Sequence, residues 1–277
     1  MSLPPGGRRA AGRGRGGGGI RRKSAGLTPL RAGAILLMLM CAVGSYGLIA
    51  TSAFSFRHLA LEGERYTSAD TVTAALSLQQ GANLVRMRTD TLIDALRAIP
   101  TVRDAHVSIE LPDTVRVRID EREPILVWAT SSSQFLVDRA GLLFAPATGD
   151  AASAVAGLRV IHDTRASSAQ LSVGATLDPI DLDVATRLGS LKPADLASTA
   201  ADLSVTVDDT GGFVVTSGKD GWVATFGIYT PTLRPPTIVP GQVRLLRSIL
   251  LDRGEANLAR IDVARTIEGS YELKSGK

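Results

Sequence analysis

The chain has 277 residues, of which 44% are hydrophobic and 21% charged, with a formal net charge of +4 and one cysteine. The positive sum hides two opposite segments: residues 1–31 carry eight basic residues and no acid, while the remainder is net acidic, which argues against an outer domain that binds nucleic acid. Cys41, in an apolar stretch, has no second cysteine to pair with, so no intrachain disulfide can form and the rest of the chain must fold on its core alone.

Residues 1–31 are rich in Gly and Arg, lack an apolar period, and are expected to be a disordered basic tail. Gly12, Gly14 and Gly17 satisfy a dinucleotide-binding spacing, but no strand precedes them and no apolar helix follows. Arg13 to Gly17 also resembles an RGG-type RNA-binding segment; its juxtamembrane place favours an electrostatic topology signal held near anionic lipid headgroups.

Ala32 to Phe56 is uncharged and as a helix would reach about 37 Å, against a hydrocarbon core of about 30 Å. A transmembrane helix is expected over 32–55. Arg8, Arg9, Arg13, Arg15, Arg21, Arg22, Lys23 and Arg31 hold its N-terminal side in the cytoplasm, so everything from Arg57 onward is expected outside. A cleaved signal peptide is the rival, with small residues at Thr51, Ser52 and Ala53, but the apolar run exceeds the usual length.

Arg57 to Glu62 alternates as a short strand ended by Gly63. Thr67, Ser68 and Asp70 supply N-cap chemistry for a helix that Gly81 stops, and Thr89-Asp90 opens a second helix that Pro100 ends. Ala105, Val107 and Ile109, then Val115, Val117 and Ile119, alternate with polar residues on either side of a Leu111-Pro112-Asp113 turn. The order strand, helix, helix, strand, strand predicts two helices over one face of a small sheet.

From Glu121 the pattern is predominantly β. Strands are expected at 125–128, 134–137 and 142–144, a polar loop at 145–156, a helix from Asp178-Pro179 through Leu188, and a shorter one at Lys192-Pro193. Strands at 203–207, 213–216 and 222–227 follow, then a proline-rich loop from Thr230 to Pro240. A helix with Val243, Leu246 and Leu250 on one side leads to closing strands at 258–263 and 270–273. The fold class is α+β.

The outer part resembles the FtsQ/DivIB cell-division family. Leu61-Glu62-Gly63, Thr67-Ser68, Gly81-Ala-Asn83-Leu84, Ala98-Ile99-Pro100 through Val107, and Leu111 to Val115 look like its polypeptide-transport-associated (POTRA) domain. Glu121-Arg122-Glu123-Pro124-Ile125, Trp128, Leu136-Val137-Asp138, Gly141 and Phe144 resemble the junction into its β-domain. Arg260-Ile261-Asp262-Val263 is similar to the family's closing strand, but where relatives often continue Ile-Asp-Leu-Arg this chain has Ile261-Asp262-Val263-Ala264-Arg265. After the basic tail at 1–31 and the helix at 32–55, the resemblance implies a POTRA domain at 56–123, a β-domain at 124–267 and a C-terminal strand or tail at 268–277. It further implies a non-enzymatic, single-pass scaffold at the division septum, binding FtsB- and FtsL-like membrane proteins by strand addition.

No catalytic, cofactor or metal site is expected, nor a small-molecule substrate. His58, His106 and His162 are scattered, and no nucleophile elbow or P-loop appears. Asp178, Asp181 and Asp183 form the best acidic cluster, which a membrane-anchored cell-wall hydrolase could use, although acids at a helix start are common. An export or assembly factor receiving substrates on the POTRA domain is a third class. The candidate partner edge is Ala259, Arg260, Ile261, Asp262, Val263 and Arg265 together with Tyr271, unless Lys274 and Lys277 merely guard a lone edge. Arg122 and Pro124 are read as the domain junction, and Trp128 and Trp222 as core.

Overall fold

The computed structural model describes residues 29–50, 52–148, 155–232, 234–265 and 268–274. Most of the basic tail with its glycine motif, part of the loop expected at 145–156, and Lys277 lie outside these residues. The chain divides into two units, Met1–Thr51 and Ser52–Lys277.

In the first unit, Pro29–Ala50 forms a 22-residue helix, α1. Its Pro29–Gly47 segment is long and apolar enough to cross a membrane, and its large side chains, Leu36, Met38 and Val43 among them, are exposed.

The second unit begins with a three-stranded sheet. Its strands are β1 (His58–Glu62), β2 (Val102–Glu110) and β3 (Thr114–Glu121), in the order β1-β3-β2. β3 runs parallel to β1 and antiparallel to β2. Between β1 and β2 the chain forms α2 (Ala69–Leu76) and α3 (Thr89–Arg97). Ser68 Oγ accepts from the Thr71 amide at 3.2 Å and so caps α2. Period-2 alternation sends Val115, Val117 and Ile119 inward against Val72, Leu76, Leu92 and Leu96 of the two helices. Outward on the same strand, Arg116 pairs with Glu110 at 2.6 Å and with Glu62, tying all three strands together and holding the Glu110 carboxyl below its ordinary pKa. Gly63 ends β1 at φ +94°, where a Cβ would strike the Ile119 carbonyl at 2.2 Å.

Nine further strands make one sheet: β4 (Leu126–Ala129), β5 (Gln134–Val137), β6 (Leu143–Pro146), β7 (Val160–Asp163), β8 (Ser204–Asp208), β9 (Gly212–Thr216), β10 (Val223–Gly227), β11 (Leu258–Asp262) and β12 (Ser270–Leu273). Their order is β12-β11-β10-β9-β8-β7-β4-β5-β6. Pairs β4–β7, β7–β8 and β10–β11 are parallel and the others antiparallel. Parallel neighbours need long crossovers: the chain passes from β4 to β7 by way of β5 and β6, from β7 to β8 through α4 (Pro179–Gly189), and from β10 to β11 through α5 (Val239–Arg253).

Both crossover helices pack on one sheet face. Val184, Ala185 and Leu188 of α4 and Val239, Leu246 and Leu250 of α5 join Trp128, Phe213, Trp222 and Phe226 in one core. The opposite face carries a smaller cluster of Val127, Leu136, Phe144 and Ala145, against which Tyr66 packs from the chain before α2. β4, buried at every position, is covered on both sides. The fold is α+β as expected, and both tryptophans are fully buried core residues.

Candidate functional site

Among the described residues the sheet's two terminal strands are β6 and β12, and the one neighbour of β12 is β11. Register sets Leu258 opposite Leu273, Arg260 opposite Glu272, Ile261 opposite Tyr271 and Asp262 opposite Ser270. Directly opposite residues share a face. Leu258 and Ile261 are buried on the α5 side, so Tyr271 and Leu273 continue that apolar stripe outward, where they stand 37% and 58% exposed. The Arg253 guanidinium at the end of α5 lies 5.1 Å from the Tyr271 ring centroid, a cation–π contact that covers part of the ring. Lys274 Nζ donates to the Asp220 carbonyl in the β9–β10 turn at 2.9 Å, so this lysine is engaged inward.

The sequence candidates fall into three groups. Ala259, Arg260, Ile261 and Asp262 lie in β11, whose main chain is flanked by β10 and β12. Val263 follows, fully buried; its amide donates to Thr225 and its carbonyl accepts from Gln242, both at 2.9 Å. Arg265 is exposed beyond the strand, and Tyr271 alone sits on the edge strand itself.

Sequence reasoning missed Gln242. Its Nε2 donates to the carbonyls of Phe226 and Val263, each at 2.9 Å, and its Oε1 accepts from the Tyr229 hydroxyl at 2.6 Å. Burial raises the Tyr229 phenol pKa, so it stays a neutral donor. The signal was present: Gln242 occupies the helical stripe of Val239, Leu246 and Leu250, an unusual place for an amide without a buried partner.

At the junction, the Glu121 carboxylate that ends β3 accepts from the amides of Arg65, Tyr66 and Thr67 at 2.7–3.0 Å. Next to it, Arg122 Nε donates to the Pro100 carbonyl at 2.9 Å and Nη1 to Asp138 at 2.7 Å. The other Asp138 oxygen accepts from the Ala140 and Leu142 amides in the β5–β6 turn. Arg122 thereby spans the small sheet's helix exit and the large sheet's β5–β6 turn, with half-buried Pro124 between β3 and β4. Tyr66 meets Phe144 edge-on at 5.7 Å between ring centroids.

The three acids of α4 have separate partners. Asp178 caps the helix by accepting from the Ile180 amide, and Asp183 pairs with Arg187 one turn on. Asp181 meets Arg165 at 2.7 Å, where burial pushes its carboxyl pKa up against the pull of that arginine. Arg165 also grips fully buried Asp163, which accepts from the Trp128 indole N–H at 3.1 Å. Among the described residues no group of three or more His, Cys, Asp or Glu could hold a metal ion.

Residues 54–122, which hold the small sheet and its helices, match the family model described as POTRA domain, FtsQ-type. That segment is an FtsQ-type POTRA domain. A cell division protein FtsQ of Mycobacteroides abscessus is 33% identical over 128 residues, covering 46% of this chain and 41% of that protein. One from Rickettsia felis is 28% identical over 32% of this chain and 33% of its own length. The FtsQ of Chloroflexus aurantiacus is 25% identical over 217 residues, 77% of this chain and 71% of that protein. The matches to the first two thus span about two fifths and one third of those relatives.

Proposed function

We propose that this chain is a non-enzymatic, single-pass membrane scaffold of the bacterial division machinery, which works by recruiting FtsB- and FtsL-like membrane proteins to the septum. In this reading α1 is the anchor, the basic tail stays cytoplasmic near anionic lipid, and the POTRA domain (56–123) and β-domain (124–267) lie outside. The observation that carries it is an FtsQ-type POTRA domain joined to a sheet whose last strand, β12, has one neighbour. An edge strand presents unpaired amide and carbonyl groups that an incoming strand can satisfy, while flanking side chains select the partner. Tyr271 and Leu273 are the apolar selectors, and Arg265 and Arg253 flank them. Strand β2 gives the POTRA sheet a second open edge.

Anchoring converts weak contacts into assembly. Partners confined to the same membrane meet the edge at a high effective concentration, so no single contact needs great affinity. Such a mechanism requires no catalytic residue.

A fluorescent fusion in dividing cells tests the reading. Truncation from residue 258 would remove buried Leu258, Ile261 and Val263 and unfold the sheet, so the informative deletion is 268–277, which takes only the exposed strand. Mid-cell bands from the intact chain that weaken on this deletion support the proposal. Uniform membrane signal from the intact chain refutes it.

A further inference from the structure

Three segments far apart in sequence meet at the end of the POTRA domain where the chain enters it. The Phe56 amide donates to Ala82 at 2.8 Å, the Gly81 amide donates back to Phe56 at 3.0 Å, and Ser55 bridges Asn83. On the other side, the amides of Arg57 and His58 donate to the Asp113 carbonyl at 2.9 and 3.2 Å. The loop at 81–88 and the turn at 111–113 are therefore bound by main-chain hydrogen bonds to the residues that first follow the apolar helix.

These segments expose an uncommon combination. Val85 stands 53% and Leu111 59% exposed, two large apolar side chains on a domain that buries its others well. Around them Arg57, Arg86 and Arg88 are exposed, and among the described residues none of the three forms an ion pair. The acids beside these segments are Glu110, next to Leu111 and already paired with Arg116, Asp113, which faces His58 at 3.9 Å, and Asp90 at the start of α3. Val85 is held outward because Asn83 Oδ1 caps its amide at 2.9 Å while Leu84 beside it is fully buried.

We propose that this end of the POTRA domain is a membrane-contact surface, in which Val85 and Leu111 enter the headgroup boundary and Arg57, Arg86 and Arg88 bind the phosphates of anionic phospholipid. The inference rests on the anchoring role of α1. Only four residues, 51–54, lie between Ala50 and Ser55, and the five steps of chain reach about 17 Å at most. Exposed aliphatic side chains among unpaired arginines match the chemistry of a lipid interface, apolar below and anionic above. A protein groove would need neither the tether nor three arginines without ion-pair partners. Seated so, the POTRA domain would be fixed in height and tilt above the bilayer, which would aim its open strand β2 and the distant edge β12 at partners rooted in the same membrane.

The test uses the full chain with Cys41→Ser, carrying a nitroxide in turn at Leu37, Val85, Leu111 and Lys219, in nanodiscs of phosphatidylcholine with or without phosphatidylglycerol. The nitroxide is itself apolar, so it preserves the character of positions 85 and 111. Relaxation by oxygen against a water-soluble nickel complex reads the depth of each label. The expected result places Leu37 at the bilayer centre, 85 and 111 at the headgroup boundary only with phosphatidylglycerol, and 219 in water. Reversing the charge at Arg57, Arg86 and Arg88 lowers the docked-to-free ratio by at least about fivefold. High salt does the same to the unmutated protein. Labels at 85 and 111 in water while Leu37 is buried overturn this inference and leave the anchor standing; docking indifferent to phosphatidylglycerol overturns it too. Leu37 in water removes the anchor and the inference together.

Discussion

The side-chain amide of Gln242 donates to the main-chain carbonyl of Val263 across 2.9 Å, inside a core where the glutamine has no exposed surface. With its second bond to Phe226, it ties the exit of β10 to the exit of β11 and so fixes the strand against which β12 pairs. Leucine fits the same stripe of α5 but leaves two buried carbonyls without donors and the Tyr229 hydroxyl without its acceptor, at about 1–3 kcal/mol each. Gln242→Leu is expected to cost about 3 kcal/mol and to lower the melting midpoint by about 6–12 °C for a folded unit of this size. Near-UV circular dichroism from Trp128 and Trp222 follows the transition, and an unchanged midpoint would show that the three bonds of Gln242 contribute nothing net.

A second prediction concerns acid. Burial pushes the Glu255 carboxyl pKa up, but hydrogen bonds from Ser198, Thr199 and the Trp222 indole, the last at 2.8 Å, outweigh it and hold the pKa below its ordinary 4.5. A folded pKa below the unfolded one means the unfolded chain binds more protons in that window. The stabilisation is therefore complete above about pH 5 and is lost as pH falls through the folded value. Glu255→Gln keeps an acceptor and removes the titration, so its midpoint should fall less steeply than that of the parent between about pH 5 and 3. Parallel melting curves over that range would refute the assignment.

Much of this architecture was legible in the residues, and the reasons are local. Ser68 announces α2 because its hydroxyl has one effective use there, and Val115, Val117 and Ile119 announce β3 because only a half-buried strand alternates so cleanly. β7 was not legible: Val160 to Asp163 is four residues with Ile161 and Asp163 as its buried pair, and an aspartate reads as polar surface until Arg165 and the Trp128 indole are brought to it. Sheet order is a tertiary fact, set by crossovers through α4 and α5. For that reason β11 and β12 could be recognised as closing strands, whereas the flanking of β11 on both sides could not be read from its pattern.

Arg122 offers a third test. Its fork joins the Pro100 carbonyl to Asp138, and the side chains of the ion pair are 23% and 10% exposed. Alanine leaves Asp138 desolvated with only amide donors, at a cost of about 2 kcal/mol, less than for a fully buried pair because water still reaches the site. Lysine restores charge without the fork and should recover only part of it. Spin labels at Thr73 and Lys219, in a Cys41→Ser background, report the distance between the two sheets. The distribution should broaden for Arg122→Ala and remain narrow in the parent; equal widths would mean that Glu121 and the Tyr66–Phe144 contact hold the junction alone.

The edge makes the sharpest separation between folding and binding. Tyr271 and Ile261 face each other across one strand pair, yet Ile261 is buried and Tyr271 is not. Ile261→Ala should cost about 2–5 kcal/mol through the cavity it leaves, and any loss of partner capture would follow from that. Tyr271→Ala surrenders little beyond the contact with Arg253, about 0.5–1 kcal/mol, so its midpoint should drop by no more than a few degrees. If β12 is the recruiting strand, the same substitution lowers affinity for an FtsB-like partner about tenfold, because an exposed aromatic on an open edge is a natural anchor. Binding measured by interferometry on the reconstituted chain decides it: an affinity for Tyr271→Ala equal to the parent's, at matched stability, moves the partner surface away from this edge.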